Sequence, residues 1–339
     1  MDQTADAFQT QCICASLGKG DKSISREFMC AIVDAMCPPI TKIVAIGIGG
    51  RSKLEYDVRK GAWTASALIN NLPNVRCMCN LNNTHLVVST GRDVYKIDIN
   101  TYLNVPTLIT HDMHGVKMKN NCEFFTKPNS TLIAFGEDKI LCLRVHAYVR
   151  FDREPFYGGI HAVLDLGTGT ITILNHKLIG HGAQCTLLKN GNILISGSRV
   201  ATQMHYTTSS FIFDAHRKWL FDAAPMNDVR WDHATCLLPN GRVFACGGRS
   251  GVSQMAKASI TNTCEEYDPI SGVWTQLPPM KHARQMHQCV LMSDGIVMII
   301  GGAFIDGDCE FYDPATQTFV EAPTIPFEAH RFTTFTRTK

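Results

Sequence analysis

Hydrophobic residues along this chain fall in short runs bounded by turn-forming residues, and the runs recur. The clearest copy begins with His233-Ala-Thr-Cys-Leu-Leu238, a short apolar run closed by Pro239-Asn240-Gly241. Asn-Gly readily supplies the positive φ of a tight turn. Arg242-Val-Phe-Ala-Cys246 is a second apolar run, ended by Gly247-Gly248. After a polar loop, Cys264-Glu-Glu-Tyr267 and Val273-Trp-Thr-Gln-Leu277 flank the turn Asp268-Pro-Ile-Ser-Gly272. The pattern predicts four short antiparallel strands joined in sequence. The first two are almost continuously apolar, as strands covered on both faces are, and the outer two alternate.

The unit repeats. Asp57, Asp98, Asp165, Asp214, Asp268 and Asp313 each follow an apolar residue and precede a loop. Trp63, Ile171, Trp274 and Phe319 fall six positions after their aspartates, whereas Leu103 and Trp219 fall five after Asp98 and Asp214. A repeat of this length made of four-stranded meanders predicts a ring of blades, each with its most buried strand at the axis. The tryptophans are expected to pack between neighbouring blades.

Gly247-Gly248, Tyr267-Asp268-Pro269, Trp274 and Arg284-x-x-His287 resemble kelch repeats, as do Gly301-Gly302, Tyr312-Asp313-Pro314 and Phe319. Gly49-Gly50, Tyr56-Asp57 and Trp63 form a further copy, and Gly197-Ser198, Phe213-Asp214 and Trp219 a looser one. Thr90-Gly91 with Asp98, and Phe135-Gly136 with Asp165, keep only fragments. The resemblance implies an all-β, six-bladed kelch-type β-propeller over residues 41–339. Lys42-Ile-Val-Ala-Ile-Gly-Ile-Gly49 matches a second strand whose first strand is missing upstream. Arg331-Phe-Thr-Thr-Phe-Thr-Arg337 matches a first strand with nothing after it. The two are expected to complete one blade, which removes exposed sheet edges.

Residues 1–40 lie outside the repeat. Within residues 23–37, Phe28, Ile32 and Met36 recur at helical spacing before Pro38-Pro39, so a short N-terminal helix is expected. The segment is too short for the dimerising domain that precedes many kelch propellers in ubiquitin-ligase adaptors, and no F-box is evident. It also lacks the basic-then-apolar pattern of a secretory signal.

Composition narrows the reading. The chain has 339 residues, 45% apolar and 18% charged, with a net charge of +2. That balance gives no overall polyanion signature, so nucleic acid is not expected. No apolar run is long enough to span a bilayer, so membrane insertion is not expected. Fourteen cysteines include the pairs Cys12/Cys14 and Cys77/Cys79 but no Cys-x-x-Cys. Neither pair has a partner at zinc-site spacing. They read as reduced core thiols of a cytoplasmic or nuclear protein, without a metal or other cofactor.

The second-to-third-strand and inter-blade loops share one face and are the long ones. An arginine directly follows the second strand at Arg51, Arg92, Arg199 and Arg249, while Glu137 and Ala303 occupy the matching places elsewhere. Inter-blade loops add Arg230, Trp231, Arg284 and Arg331, and long loops carry Tyr157 and Tyr206. Guanidinium groups converging there would suit carboxylate or phosphate, with aromatic anchors beside them. The expected function is a non-catalytic module that binds a partner protein or an acidic or phosphorylated peptide. It would serve as a substrate-recognition or scaffold subunit of a ubiquitin-ligase or cytoskeletal assembly. The alternative is a kelch-type enzyme, a metal-dependent oxidase, lyase or epimerase, with its site at the channel mouth. No matching catalytic set aligns, and His111-Asp-Met-His114 is too small a cluster to define a metal site.

Overall fold

The computed structural model describes residues 40–47, 52–67, 77–81, 85–89, 94–98, 107–110, 122–125, 131–149, 160–175, 177, 179–200, 205–251, 259–303, 308–325 and 332–338. The described elements are all strands. The expected helix within residues 23–37 lies outside the described residues.

Five sheets are four-stranded. The first joins β1 (Ile40–Gly47), β2 (Ser52–Asp57) and β3 (Ala62–Ala67) to β27 (Phe332–Thr338), in the order β27-β1-β2-β3. The second is β4 (Cys77–Asn80), β5 (His85–Ser89), β6 (Val94–Asp98) and β7 (Thr107–Thr110). Three more are equally sequential. They are β13 (Gln184–Leu187) to β16 (Trp219–Ala223) through β14 (Ile193–Val200) and β15 (His205–Asp214); then β17 (Ala234–Leu237), β18 (Val243–Cys246), β21 (Cys264–Asp268) and β22 (Val273–Leu277); then β23 (Gln288–Leu291), β24 (Val297–Ile300), β25 (Cys309–Asp313) and β26 (Thr318–Ala322).

Six alike four-stranded blades are thus corrected to five of that form. The remaining sector is a five-stranded sheet of β8 (Cys122–Phe125), β9 (Thr131–Phe135), β10 (Lys139–Val149), β11 (Ile160–Asp165) and β12 (Ile171–Ile173). The cause is β10, which runs 11 residues. Its first part pairs with β9 and β11, and its end, His146 to Val149, pairs with β8. The innermost strands touch in the cyclic order β4, β9, β13, β17, β23, β27 and back to β4, which makes the arrangement a propeller. Apolar cores fill the joints between adjacent sheets. Phe135 and Leu141 meet Ile193 and Phe213, and Leu194 meets Val243 and Trp274.

The repeated aspartates are turn residues. The carboxylates of Asp57, Asp214 and Asp268 each accept two backbone N–H bonds from the turn that follows. Asp165 and Asp313 accept one each from Thr168 and Ala315. These backbone bonds hold the Asp165, Asp214, Asp268 and Asp313 carboxyls below their ordinary range.

The ring closes as the split repeat predicts. β27 pairs antiparallel with β1, from Gly47 opposite Phe332 to Lys42 opposite Arg337. A second contact closes it independently. Trp63 Nε1 donates to the Pro323 carbonyl 260 residues away in sequence, at 3.0 Å. Trp274 makes the same backward bond to Ala224 at 3.1 Å.

Trp219 departs from the expected packing. It pairs with Asp214, whereas Trp63 and Trp274 pair with Tyr56 and Tyr267. A one-residue offset turns a strand residue to the other face. Trp219 is accordingly 49% exposed, and Leu220 occupies the buried slot.

Two outcomes follow from this architecture. Trp274→Ala should destabilise the chain by about 3–5 kcal/mol, because it empties a buried joint. Trp219→Ala should cost under about 1 kcal/mol. Equal shifts of the two variants in denaturant melts would contradict the register. Removing residues 332–338 should abolish cooperative unfolding, since it leaves β1 as an open edge. A truncated chain that melts like the intact one would refute closure by β27.

Candidate functional site

At the loop-rich face the first feature is a buried ion pair that occurs twice. Arg230 and Arg284 are both 0% exposed, as are Glu265 and Glu310. Arg230 Nε and Nη2 bond Glu265 Oε1 at 2.9 and 2.8 Å, and Arg284 Nε and Nη2 bond Glu310 Oε1 at 3.2 and 2.8 Å. Arg230 Nη2 also reaches Asp228 Oδ2 at 3.2 Å and Thr263 Oγ1 at 3.1 Å, and the Nη1 donors reach backbone. Arg230 Nη1 donates to the Gly247 and Thr263 carbonyls, each at 2.9 Å. Arg284 Nη1 donates to the Gly301 and Asp308 carbonyls. Each arginine therefore ties the end of its blade's second strand to the start of the third. Both were expected on a binding surface. Their burial and saturated donors make them supports of the loop bases instead.

Arginine also shapes the joint to the preceding blade. A Cβ on Gly197 would lie 2.3 Å from the Arg230 carbonyl, and one on Gly247 2.8 Å from the Arg284 carbonyl. Both glycines have positive φ, 56° and 62°. The glycine-arginine spacing of the repeat is thus a close backbone approach between blades. A line of backbone bonds runs alongside it. Asp232 N–H donates to the Gly182 carbonyl at 2.9 Å, and Met286 N–H to the Asp232 carbonyl at 2.8 Å.

On this frame sit Arg199 and Arg249. They occupy equivalent places, each backbone-paired with its own blade's inner loop. Arg199 exchanges two bonds with His181, both 2.8 Å. Arg249 exchanges two with Trp231, at 3.1 and 2.8 Å. Arg199 is exposed. Arg249 is half-buried, its guanidinium 5.7 Å from the centre of the Trp231 ring, with Nε buried and unpartnered. Trp231 itself is only 3% exposed, so it serves as a platform beneath Arg249. Tyr206 lies opposite Arg199 in a strand pair that extends past the blade. In the next blade Arg249–Ser250 and Ser259–Ile260 form a two-stranded ribbon. Parts of these long connections are therefore paired strands. Arg51, Arg92 and Tyr157 lie outside the described residues.

One cluster was not anticipated from sequence. Cys246 Sγ lies 3.3 Å from His287 Nε2 and 3.3 Å from Cys289 Sγ. The spacing His287-x-Cys289 at a strand puts both on one face, which is the signal sequence contains. Cys236 and Cys264 share the same apolar cluster. Burial pushes the Cys246, Cys264 and Cys289 thiols up, and Cys236 to about 12. Desolvation and the Arg284 charge depress His287 to about 3. At the preceding joint, Ser196 Oγ lies 3.0 Å from His233 Nε2. Desolvation, then the Arg230 charge, hold His233 well below its ordinary 6.5. The cysteines whose state the structure describes are free thiols.

Comparison with known proteins places these features in context. The kelch motif matches residues 230–281. Over 149 residues the chain is 27% identical to "Kelch-like protein 35" of Mus musculus, covering 43% of this chain and 23% of that protein. Over 133 residues it is 31% identical to "Kelch repeat-containing protein kel-10" of Caenorhabditis elegans, covering 36% and 21%. The matched region thus spans less than a quarter of either relative. Among solved structures, a novel fungal alcohol oxidase of the AA5 family in complex with copper has a TM-score of 0.56 at 15% identity, over 86% of this chain and 66% of that one. At that identity the likeness is one of fold.

The buried imidazoles give a pH dependence whose sign is fixed. His233 is neutral when folded and takes up a proton near 6.5 when unfolded. Unfolding therefore binds protons below that value, and stability should fall as pH drops through 6.5 toward the depressed folded value. His233→Gln should flatten that fall when stability to urea is compared at near-neutral and mildly acid pH. An unchanged slope would show that His233 does not carry it.

Proposed function

We propose that this kelch-repeat chain is a protein-interaction module that binds acidic or phosphorylated segments on its loop-rich face. The observation that carries this reading is the equivalent placement of Arg199 and Arg249. Each projects from a backbone position tied to an inner loop, so little ordering entropy opposes binding at its base. Guanidinium suits carboxylate and phosphate. Arg51 and Arg92 extend the set by the repeat, and Tyr157 and Tyr206 are its aromatic members. Arg230, Arg284 and Trp231 act from beneath, by fixing loops or supporting Arg249.

The finer features belong to the same proposal. The ring is read as six sectors, with the five-stranded sheet as one of them; the cyclic contacts of the inner strands support this. Residues 1–40 form an extension and residues 41–339 the propeller. A cytoplasmic or nuclear location is consistent with free, buried thiols. A role within a ubiquitin-ligase or cytoskeletal assembly would require further domains or partner chains. The oxidase reading has fold likeness in its favour at 15% identity, and no catalytic set among the described residues supports it.

Binding of fluorescent acidic and phosphorylated peptide libraries tests the proposal. Arg199→Ala and Arg249→Ala should each weaken the tightest binders by about 1–3 kcal/mol. Affinity should also fall with added salt. Lys189→Glu, on the opposite short-turn face, should leave it unchanged. Equal loss from Lys189→Glu would move the site to the other face.

A further inference from the structure

We infer that the joint between the β17–β18–β21–β22 sheet and the β23–β26 sheet is a binding site for a thiophilic divalent cation of the zinc class, held by Cys246 Sγ, Cys289 Sγ and His287 Nε2. The three ligand atoms lie within 4.8 Å of one another, and all three residues are buried. Cys246 comes from one sheet, and His287 and Cys289 from the next, so the ion would bridge two blades.

The distances fit the chemistry. Tetrahedral zinc with bonds of about 2.3 Å to sulfur and 2.0–2.1 Å to nitrogen places two sulfurs roughly 3.7 Å apart, and sulfur and nitrogen roughly 3.5 Å apart. The two gaps from Cys246 Sγ are 3.3 Å each, and all three atoms lie within 4.8 Å of one another, so small side-chain rotations admit the ion. His287 Nδ1 is buried and has no hydrogen-bond partner, so no second bond opposes rotation of the ring. Two thiolates and a neutral imidazole cancel a divalent charge, which suits an apolar surrounding that includes Met280, Val297 and Ile299. Cys264 lies opposite Cys246 across the β18–β21 pair, with its Sγ 3.6 Å from the Asn262 carbonyl.

The preceding joint gives the contrast. There His233 meets Ser196, and the place of Cys289, two residues after the histidine, is held by Thr235. Thr235 Oγ1 accepts a hydrogen bond from Thr186. The same position in the repeat is thus a hydrogen-bonded joint in one sector and a set of soft ligands in the other. Soft ligands select thiophilic ions over Mg²⁺ or Ca²⁺. Closed on all sides, the site would be structural rather than catalytic.

Cobalt is the probe. The intact chain, purified with reductant, should bind one equivalent of Co²⁺ and show thiolate-to-cobalt charge transfer. One equivalent of Zn²⁺ should erase that signal and raise the melting temperature. Cys246→Ala and Cys289→Ala should each lose the signal by at least tenfold in affinity, and His233→Gln should keep it. A signal unchanged in both cysteine variants would place the ion on other thiols and overturn the proposal. X-ray absorption of the zinc-loaded wild type needs no variant. Two or three sulfurs with one imidazole are expected, and a shell of oxygens would end the idea.

Discussion

A fully buried arginine paired with a fully buried glutamate organises the two most regular blades. Removing one partner of such a pair costs about 3–5 kcal/mol, because the other is left as an uncompensated buried charge. The pair is not required for a blade to form. In the β13–β16 sheet, register puts Gly180 where Arg230 and Arg284 stand, one residue before the loop residue that bridges the second strand. Phe211, opposite Ile195, holds the place of Glu265, which lies opposite Ala245. Arginine and glutamate are lost together there, and Phe211 is buried in the apolar joint instead. The ion pair therefore acts on the loop base. Its donors to the Gly247, Thr263, Gly301 and Asp308 carbonyls tie the end of the second strand to the start of the third.

That local restraint is transmitted around the ring by backbone contacts. The same arginine whose side chain is satisfied within its own blade offers its carbonyl to the glycine of the preceding one. Gly248 N–H donates to the Arg284 carbonyl at 2.7 Å. On the outer side, Trp274 and Trp63 each donate backward to the end of the preceding blade. Where the tryptophan is out of register, another residue substitutes. Asn175 brackets the backbone of Leu220, its side-chain amide donating to the carbonyl at 3.0 Å and its oxygen accepting from the N–H at 2.8 Å. The joint between the β13–β16 sheet and the β17–β18–β21–β22 sheet is thus bonded on the inside, from Asp232 to Gly182, and at the rim, from Trp274 to Ala224.

Much of the fold was legible because strand, turn and repeat are local signals. The four strands read between His233 and Leu277 lie within a residue or so of β17, β18, β21 and β22. The aspartates mark turns because their carboxylates cap them. What was not legible depended on distant partners. Arg230 in a loop reads as a solvated cation until Glu265, 35 residues on, is placed beside it. Trp219 reads as a packed repeat residue unless its offset of five rather than six is given its consequence for the strand face. The thiol–imidazole cluster joins two blades, and no spacing within one repeat reveals Cys246 beside Cys289.

Comparing one position through the repeats separates folding needs from surface properties. Ala303 stands where Arg199 and Arg249 stand, after the second strand of its blade. Its N–H donates to the Gln285 carbonyl at 2.9 Å, the counterpart of the Arg249 bond to Trp231. The backbone arrangement therefore needs no arginine at this place. Arg199 is exposed, and Arg249 lies half-buried on an aromatic ring. Arginine at this place is therefore not a requirement of the fold, which is what the proposed binding role rests on. The opposite holds for Arg230 and Arg284, whose side-chain hydrogen bonds all stay within the protein. The two arginine sets, adjacent in space, divide the work between presenting a surface and holding it in place.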